Sequence, residues 1–197
     1  MRLTLDEMCI MAARYSDRYD EFEKNEDGEY EDDALHYFNV FRDGINEAYR
    51  EVSREQALPD CYSRVVVEDE GRIDLTKVQP AVFAVKDLFN ALRTATVGYT
   101  FVTKYLLHAD ALPDNELWLY YHYMPDDLVE LEDCPIFSEA TVDPMIYVSL
   151  AVARMWYSEK KFDYGDRWMA QYRQLLRSVR NSLKDRTGRR IPRRMFR

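Results

Sequence analysis

A mixed α+β fold is predicted for this chain of 197 residues: mostly a bundle of four helices, with an antiparallel β insertion between the second and third. Three observations predict it. Apolar residues recur every three or four positions near both ends of the chain, the period of a helix with one buried face. Between Leu58 and Met124 that period gives way to short runs rich in Val, Tyr and Phe, divided by Glu-Gly, Gln-Pro and Pro-Asp-Asn turn signals. A hydrophobic content of 47% beside 32% charged residues suits a chain that folds around a sizeable core. The expected domains are residues 1–57 with 136–186 as the helical part, 58–135 as the β-rich insertion, and 187–197 as a basic arm.

The first helix begins at TLDEMCIMAARY, where Thr4 and Glu7 have capping-box spacing and Leu5, Met8, Cys9, Ala12 and Tyr15 or Ser16 share a face. Glu21 to Asp33 then crowds eight acids around Gly28, which predicts an exposed loop with Asp32 or Asp33 capping the next helix. The second helix, about 33–56, places Leu35, Phe38, Phe41, Ile45, Tyr49 and Val52 on one side. Gly44 inside it costs about 1 kcal/mol relative to alanine, so a close helix crossing is expected there. Five or six strands come after it, from CYSRVVVE to LWLYYHYM. In the last of them Leu117, Leu119, Tyr121 and Tyr123 alternate with Trp118, Tyr120, His122 and Met124, and because neither set is charged the strand is expected to be covered on both sides. Asp143 and Pro144 open a third helix whose only charge between Met145 and Tyr157 is Arg154, which predicts a central position. The last helix, about 163–184, buries Trp168, Tyr172, Leu175, Leu176, Val179 and Leu183, and carries Arg173, Arg177, Arg180 and Lys184 as a basic stripe.

Charge is divided unevenly. From Arg167 onward eleven basic residues face one acid, a net +10, so the total of −9 leaves −19 on the remainder. The C-terminus is expected to meet something negative, while the body repels nucleic acid. No apolar run approaches the ~20 residues that span a bilayer, and MRLTLDEM has acids where a secretion signal needs an apolar stretch. No membrane association is expected. Cys9, Cys61 and Cys134 are too scattered for a zinc or redox pair and read as reduced thiols.

Reaction chemistry finds little to stand on. In the acidic loop Glu23, Asn25, Asp27 and Gly28 match the first, third, fifth and sixth places of an EF-hand, but the twelfth, where a bidentate glutamate belongs, is Ala34. Asp126, Asp127, Glu130, Glu132 and Asp133 lie on one loop, not on the converging elements that a two-metal nuclease uses. His36, His108 and His122 stand alone, no serine sits in a nucleophile elbow, and six glycines build no phosphate-cradling loop. The reading is therefore a non-enzyme without cofactor or metal. Trp118, Tyr120, Tyr121 and Tyr123 are expected at a subunit interface, since their acidic flanks Glu116, Asp126 and Asp127 disfavour stacked bases. In the tail, Arg189, Arg190, Arg193, Arg194 and Arg197 are suited to carboxylates or phosphates, Ile191, Met195 and Phe196 to apolar pockets, and Pro192 to an extended backbone.

The order of these elements carries a resemblance. A helical pair containing DALHYFNVFRDGINEAYREV, a β passage from GRIDLTKVQPAVFAVKDLFNA to LWLYYHYMPDDLVELEDCP, and a closing VDPMIYVSLAVARMWY with YGDRWMAQYRQLL together resemble bacteriophage head-tail connector adaptors, especially those similar to the tail tubular protein A of short-tailed phages. The resemblance covers about Ala34 to Arg177. It implies a structural virion protein in the neck between capsid and tail, assembled in the host cytoplasm. It further implies a homo-oligomer, a ring of about twelve copies, set between the portal protein and the next tail or nozzle protein, with DNA passing through unbound. Gripping the portal by a terminal extension, as such adaptors do, falls here to residues 189–197. Two other readings stand beside it: an acidic regulatory or DNA-mimicking module that binds a basic protein, and a metal-dependent nuclease built on Asp126 to Asp133.

Overall fold

A computed structural model describes residues 2–55, 58–110, 116–138 and 141–187, with only the backbone described for Asp69 and 182–187. It is a mixed α+β chain with four α-helices and two small antiparallel sheets of three strands each. The chain divides into two compact units, Met1–Ala57 with Asp126–Arg197, and Leu58–Pro125.

The helical unit contains α1 (Leu5–Tyr15), α2 (Asp32–Glu55), α3 (Met145–Ser158) and α4 (Phe162–Thr187). Helix α1 starts at the capping box: the Thr4 hydroxyl accepts from Glu7 N–H at 3.1 Å, and the Glu7 carboxylate accepts from Thr4 N–H at 2.9 Å. Ten of the fourteen residues of α3 are buried, and this helix packs against each of the other three, as its nearly uncharged sequence requires. Its first turn is closed by the Asp143 carboxylate, which accepts from Met145 N–H at 2.9 Å. Gly44 is the crossing point: a Cβ built there would lie 2.6 Å from the Ala151 Cα, so only glycine lets α2 and α3 approach so closely. Among the described residues no helix is long and apolar enough to cross a membrane.

Three expectations for this unit need correction. Leu35 is exposed and Ala34 is buried in its place, because the inward stripe of α2 enters one position earlier than spacing alone suggests. Trp168 and Leu175 are half-buried, with Tyr172, Leu176 and Val179 forming the closed seam of α4. The segment from Asp126 to Asp133 groups with the helices and not with the strands. Its anchor is Asn46, a buried side chain that donates to Leu128 C=O at 2.9 Å and accepts from Leu128 N–H at 2.8 Å. The backbone also accepts from the start of α1, at Leu5 N–H to Asp133 C=O and Asp6 N–H to Leu131 C=O.

The β unit contains β1 (Asp60–Val66), β2 (Arg72–Asp74), β3 (Val82–Phe89), β4 (Tyr99–Thr103), β5 (Leu106–Ala109) and β6 (Glu116–Tyr123). One sheet has the order β1-β6-β3, the other β2-β5-β4. The most aromatic strand, β6, is thus central and hydrogen-bonded on both edges. Val65, Leu88, Leu117, Leu119 and Tyr121 of the first sheet share one apolar cluster with Ile73, Leu107 and Ala109 of the second. Tyr121 is fully buried in this cluster, so it faces its own core and leaves the expected interface set. Its hydroxyl donates to Pro80 C=O at 3.0 Å, and burial pushes its pKa up to about 12.

Candidate interaction surface

The face of β1-β6-β3 opposite that cluster is open. Register sets Asp60, Tyr62, Arg64 and Val66 of β1 across from His122, Tyr120, Trp118 and Glu116 of β6, so the uncharged face expected from β6 alone acquires charges from its neighbours. Rings and cations share this face as a column. The Lys86 ammonium lies 4.8 Å from the Tyr120 centroid, and Tyr120 stacks on Tyr62 at 4.4 Å with planes 8° apart. The Arg93 guanidinium lies 5.1 Å from the Tyr62 centroid and 3.5 Å from that of Trp118, and Arg64 approaches Trp118 at 5.5 Å. Covering on the second side is therefore supplied by cations of the same unit, and it is partial: Tyr62 remains 45% exposed. Tyr123 is half-buried against the apolar cluster. Of the four rings expected at an interface, Trp118 and Tyr120 lie on this open face, while Tyr121 and Tyr123 pack with the core.

The loop 90–95 holds Arg93 in place. The Asn90 carbonyl oxygen accepts from Thr94 N–H at 2.8 Å, and its amide donates to the Thr94 hydroxyl at 2.9 Å. Arg93 occupies the left-handed region, with φ of 57°. The Trp118 indole N–H donates to Ala91 C=O at 3.2 Å, tying loop to ring. Arg64 pairs with Glu116 at 3.3 Å, whereas Arg93 has no carboxylate partner among the described residues.

At one end of the face Asp60, His122, Tyr120 and Lys86 meet. Asp60 accepts from the Tyr120 hydroxyl at 2.6 Å and from Lys86 at 2.9 Å, and His122 Nδ1 lies 2.8 Å from both Asp60 and Leu58 C=O. Both neighbours are acceptors, so Nδ1 carries a proton. The grouping looks like an acid-base set, but its shifts favour resting forms. The Tyr120 hydrogen bond, then Lys86, hold Asp60 below the usual carboxylate range, while Asp60 in turn raises both Lys86 and Tyr120. A carboxylate that is a weaker base and a phenol that is a weaker acid are poorly matched to proton transfer near neutrality.

Other sequence-marked sites resolve into structural roles. Asn25 organises the acidic loop, accepting from Asp27 and Glu29 N–H groups at 3.0 and 2.8 Å, so the residue placed at an EF-hand ligand position is used up by a tight turn. Phe22 and Tyr30 root that turn in the core, and Glu23, Glu26, Asp27 and Glu29 project outward. Asp133 folds back to accept from Val129 and Glu130 N–H groups at 2.7 and 2.8 Å, and Asp127 pairs with Arg50. Among the described residues no group of three or more His, Cys, Asp or Glu has the placement to hold a metal ion. The α4 stripe is partly answered within its own unit, Arg180 meeting Glu55 at 2.5 Å. Cys9 is buried, which pushes its thiol pKa up, and Cys61 and Cys134 are free and half-buried. A cleft of about 370 Å³ beside β1, lined by Val65, Ile73 and Val78 with Arg64 and Lys77, has its lysine already bound to Glu68. Residues 189–197, expected to grip the portal, lie outside the described residues, as do the side chains of Leu183 and Lys184.

Sequence reasoning missed Arg64, Arg93 and Lys86, since none is adjacent to the aromatic run. Only strand register and the folded-back loop bring them to it. The chain matches no protein-family model and no curated protein sequence.

Proposed function

We propose that this protein is a non-enzymatic structural component of a bacteriophage particle, a head-tail adaptor that assembles into a ring between portal and tail. The observation that carries the reading is where apolar surface remains uncovered. Among the described residues, seven of the thirteen exposed large apolar side chains, including Val66, Phe83, Leu92, Phe101 and Tyr105, lie between Leu58 and Pro125, about a third of the chain. That excess over the unit's share of the chain supports a role in contacts with other proteins.

In this reading the four helices act as one bundle, the β unit is an insertion between the second and third that contacts a neighbouring copy or the next tail component, and Arg189 to Arg197 dock on the portal. The net −19 of residues before Arg167 suits a channel wall that DNA crosses without sticking. Deleting the residues after Gly188 tests the docking role: portal binding, measured by co-sedimentation with purified portal rings, should be lost while the fold is retained. Undiminished binding contradicts it.

A further inference from the structure

Three features compete as unassigned surfaces: the β4-β5 hairpin with exposed Phe101, Val102 and Tyr105, the cleft beside β1, and the cation-ring column of β1-β6-β3. The hairpin offers apolar contact without anything that selects an occupant, and the cleft's charges are already paired. The column is different, because it combines a fixed, unanswered cation with large rings.

Arg93 is the centre of the column. Its guanidinium carbon lies 3.5 Å from the Trp118 ring centroid, and a guanidinium that close to an indole face still has N–H donors to offer a planar anion. The Asn90 turn fixes the backbone that carries Arg93 and the Tyr62 and Trp118 rings receive its side chain, so less ordering cost remains for an incoming partner. Around it lie Leu92, 80% exposed, and Tyr62, which gives the Arg, Trp and Tyr composition typical of interface hot spots. Stacked nucleic-acid bases fit this face badly. The faces of Tyr62 and Trp118 are already occupied by Tyr120 and Arg93, and the same surface carries Asp60 and Glu116. The chemistry that fits is carboxylate on a projecting segment.

We infer that the occupant is the acidic turn Glu23 to Glu29 of a second copy of this chain, its carboxylates meeting Arg93 at the edge of the Trp118-Tyr62 column. That turn is the complement in charge, since its one cation, Lys24, is paired with Asp6 at 2.7 Å. Its Glu23, Glu26, Asp27 and Glu29 are exposed and have no cationic partner among the described residues. It is held by the Asn25 turn and rooted by Phe22 and Tyr30, whose tilted rings lie 4.3 Å apart. Two different patches, acidic on one copy and cationic on the next, make a head-to-tail contact, which is the type that closes into rings. The inference rests on the ring reading for its purpose, but its contact stands or falls separately.

The test is charge exchange in the full-length protein. Arg93→Glu alone, and Glu26→Lys with Asp27→Lys and Glu29→Lys together, should each weaken self-association by about thirtyfold or more in analytical ultracentrifugation. Both sets combined in one chain should restore it. Circular dichroism and the melting temperature of each variant check folding, and the restored combination excludes simple misfolding as the cause. Assemblies of wild-type size and affinity in both single-sided variants overturn the contact while leaving the ring reading intact. Charge-dependent association that yields dimers and no rings upholds the contact and removes the ring. A wild-type protein that stays monomeric at every concentration removes both. Binding of a labelled oligothymidylate that Arg93→Glu abolishes overturns the carboxylate assignment in favour of a nucleic-acid surface.

Discussion

The helical unit and the β unit spend their apolar residues differently. Among the described residues the first gathers twenty-seven buried side chains in one cluster and satisfies a deeply placed amide, Asn46, with both hydrogen bonds of a backbone partner. The second, among its described residues, clusters eleven, and leaves one whole face of its larger sheet to rings spaced by Lys86, Arg93 and Arg64. A closed interior in one region and an open sheet face in the other decide where each can be altered. Interior changes in the helical unit should cost folding stability, whereas changes on the open sheet face should cost association and little else.

The largest effect expected is at Asn46. Replacing it by alanine strands the buried N–H and C=O of Leu128 and should cost about 2–4 kcal/mol in urea denaturation. A loss below about 0.5 kcal/mol would mean that the Asp126 to Asp133 segment is not held by this pair. Next comes Gly44→Ala, where the new methyl overlaps Ala151; overpacking outweighs the gain in helix propensity and leaves a net loss of about 1–2 kcal/mol. Stabilisation instead would show that α2 and α3 have room to separate. Tyr147 probes the same interior with the opposite sign. Its hydroxyl is buried without a hydrogen-bond partner among the described residues, and burial pushes its pKa up, so Tyr147→Phe should raise stability by about 1 kcal/mol in thermal unfolding.

The smallest effect belongs to the open face and is read from pH. Asp60 is depressed below the ordinary 3.8, so its contribution is full above that value and is lost as pH falls through the lower folded value. Lys86 is raised above the ordinary 10.5, so its contribution is full below that value and is lost as pH climbs through the higher folded one. Asp60→Asn should therefore flatten the acid limb of the stability curve and leave neutral stability little changed, since the pair is substantially exposed. An acid limb that is unchanged in this variant would contradict the assignment.

Much of this molecule was legible in its residues. Thr4 with Glu7 signalled the start of α1, the uncharged run after Pro144 signalled a central helix, and Gly44 signalled the close crossing, because each depends on neighbours within a few positions or on the demands of one face. Alternation along β6 separated its faces correctly but could not say what covered them. That answer lies in pairing partners: Arg64 comes from β1, Lys86 from β3 and Arg93 from a turn, and no local period encodes their meeting. Asn46 was silent for the same reason, being one polar residue on an amphipathic helix whose partner is eighty-two residues away. Counting rings also misled for Tyr121, since a buried tyrosine and an interface tyrosine look identical until the register is known.

Hydrogen exchange of the full-length protein, compared between dilute monomer and concentrated assembly, reads out whether the open sheet face is the surface that copies share. Assembly should slow exchange in Asp60–Val66, in the turn around Arg93, in Glu116–Tyr123 and in the acidic turn Glu23 to Glu29, with the interiors of α3 and α4 unchanged. Slowing confined to the helices, with the open sheet face exchanging as in the monomer, would contradict it.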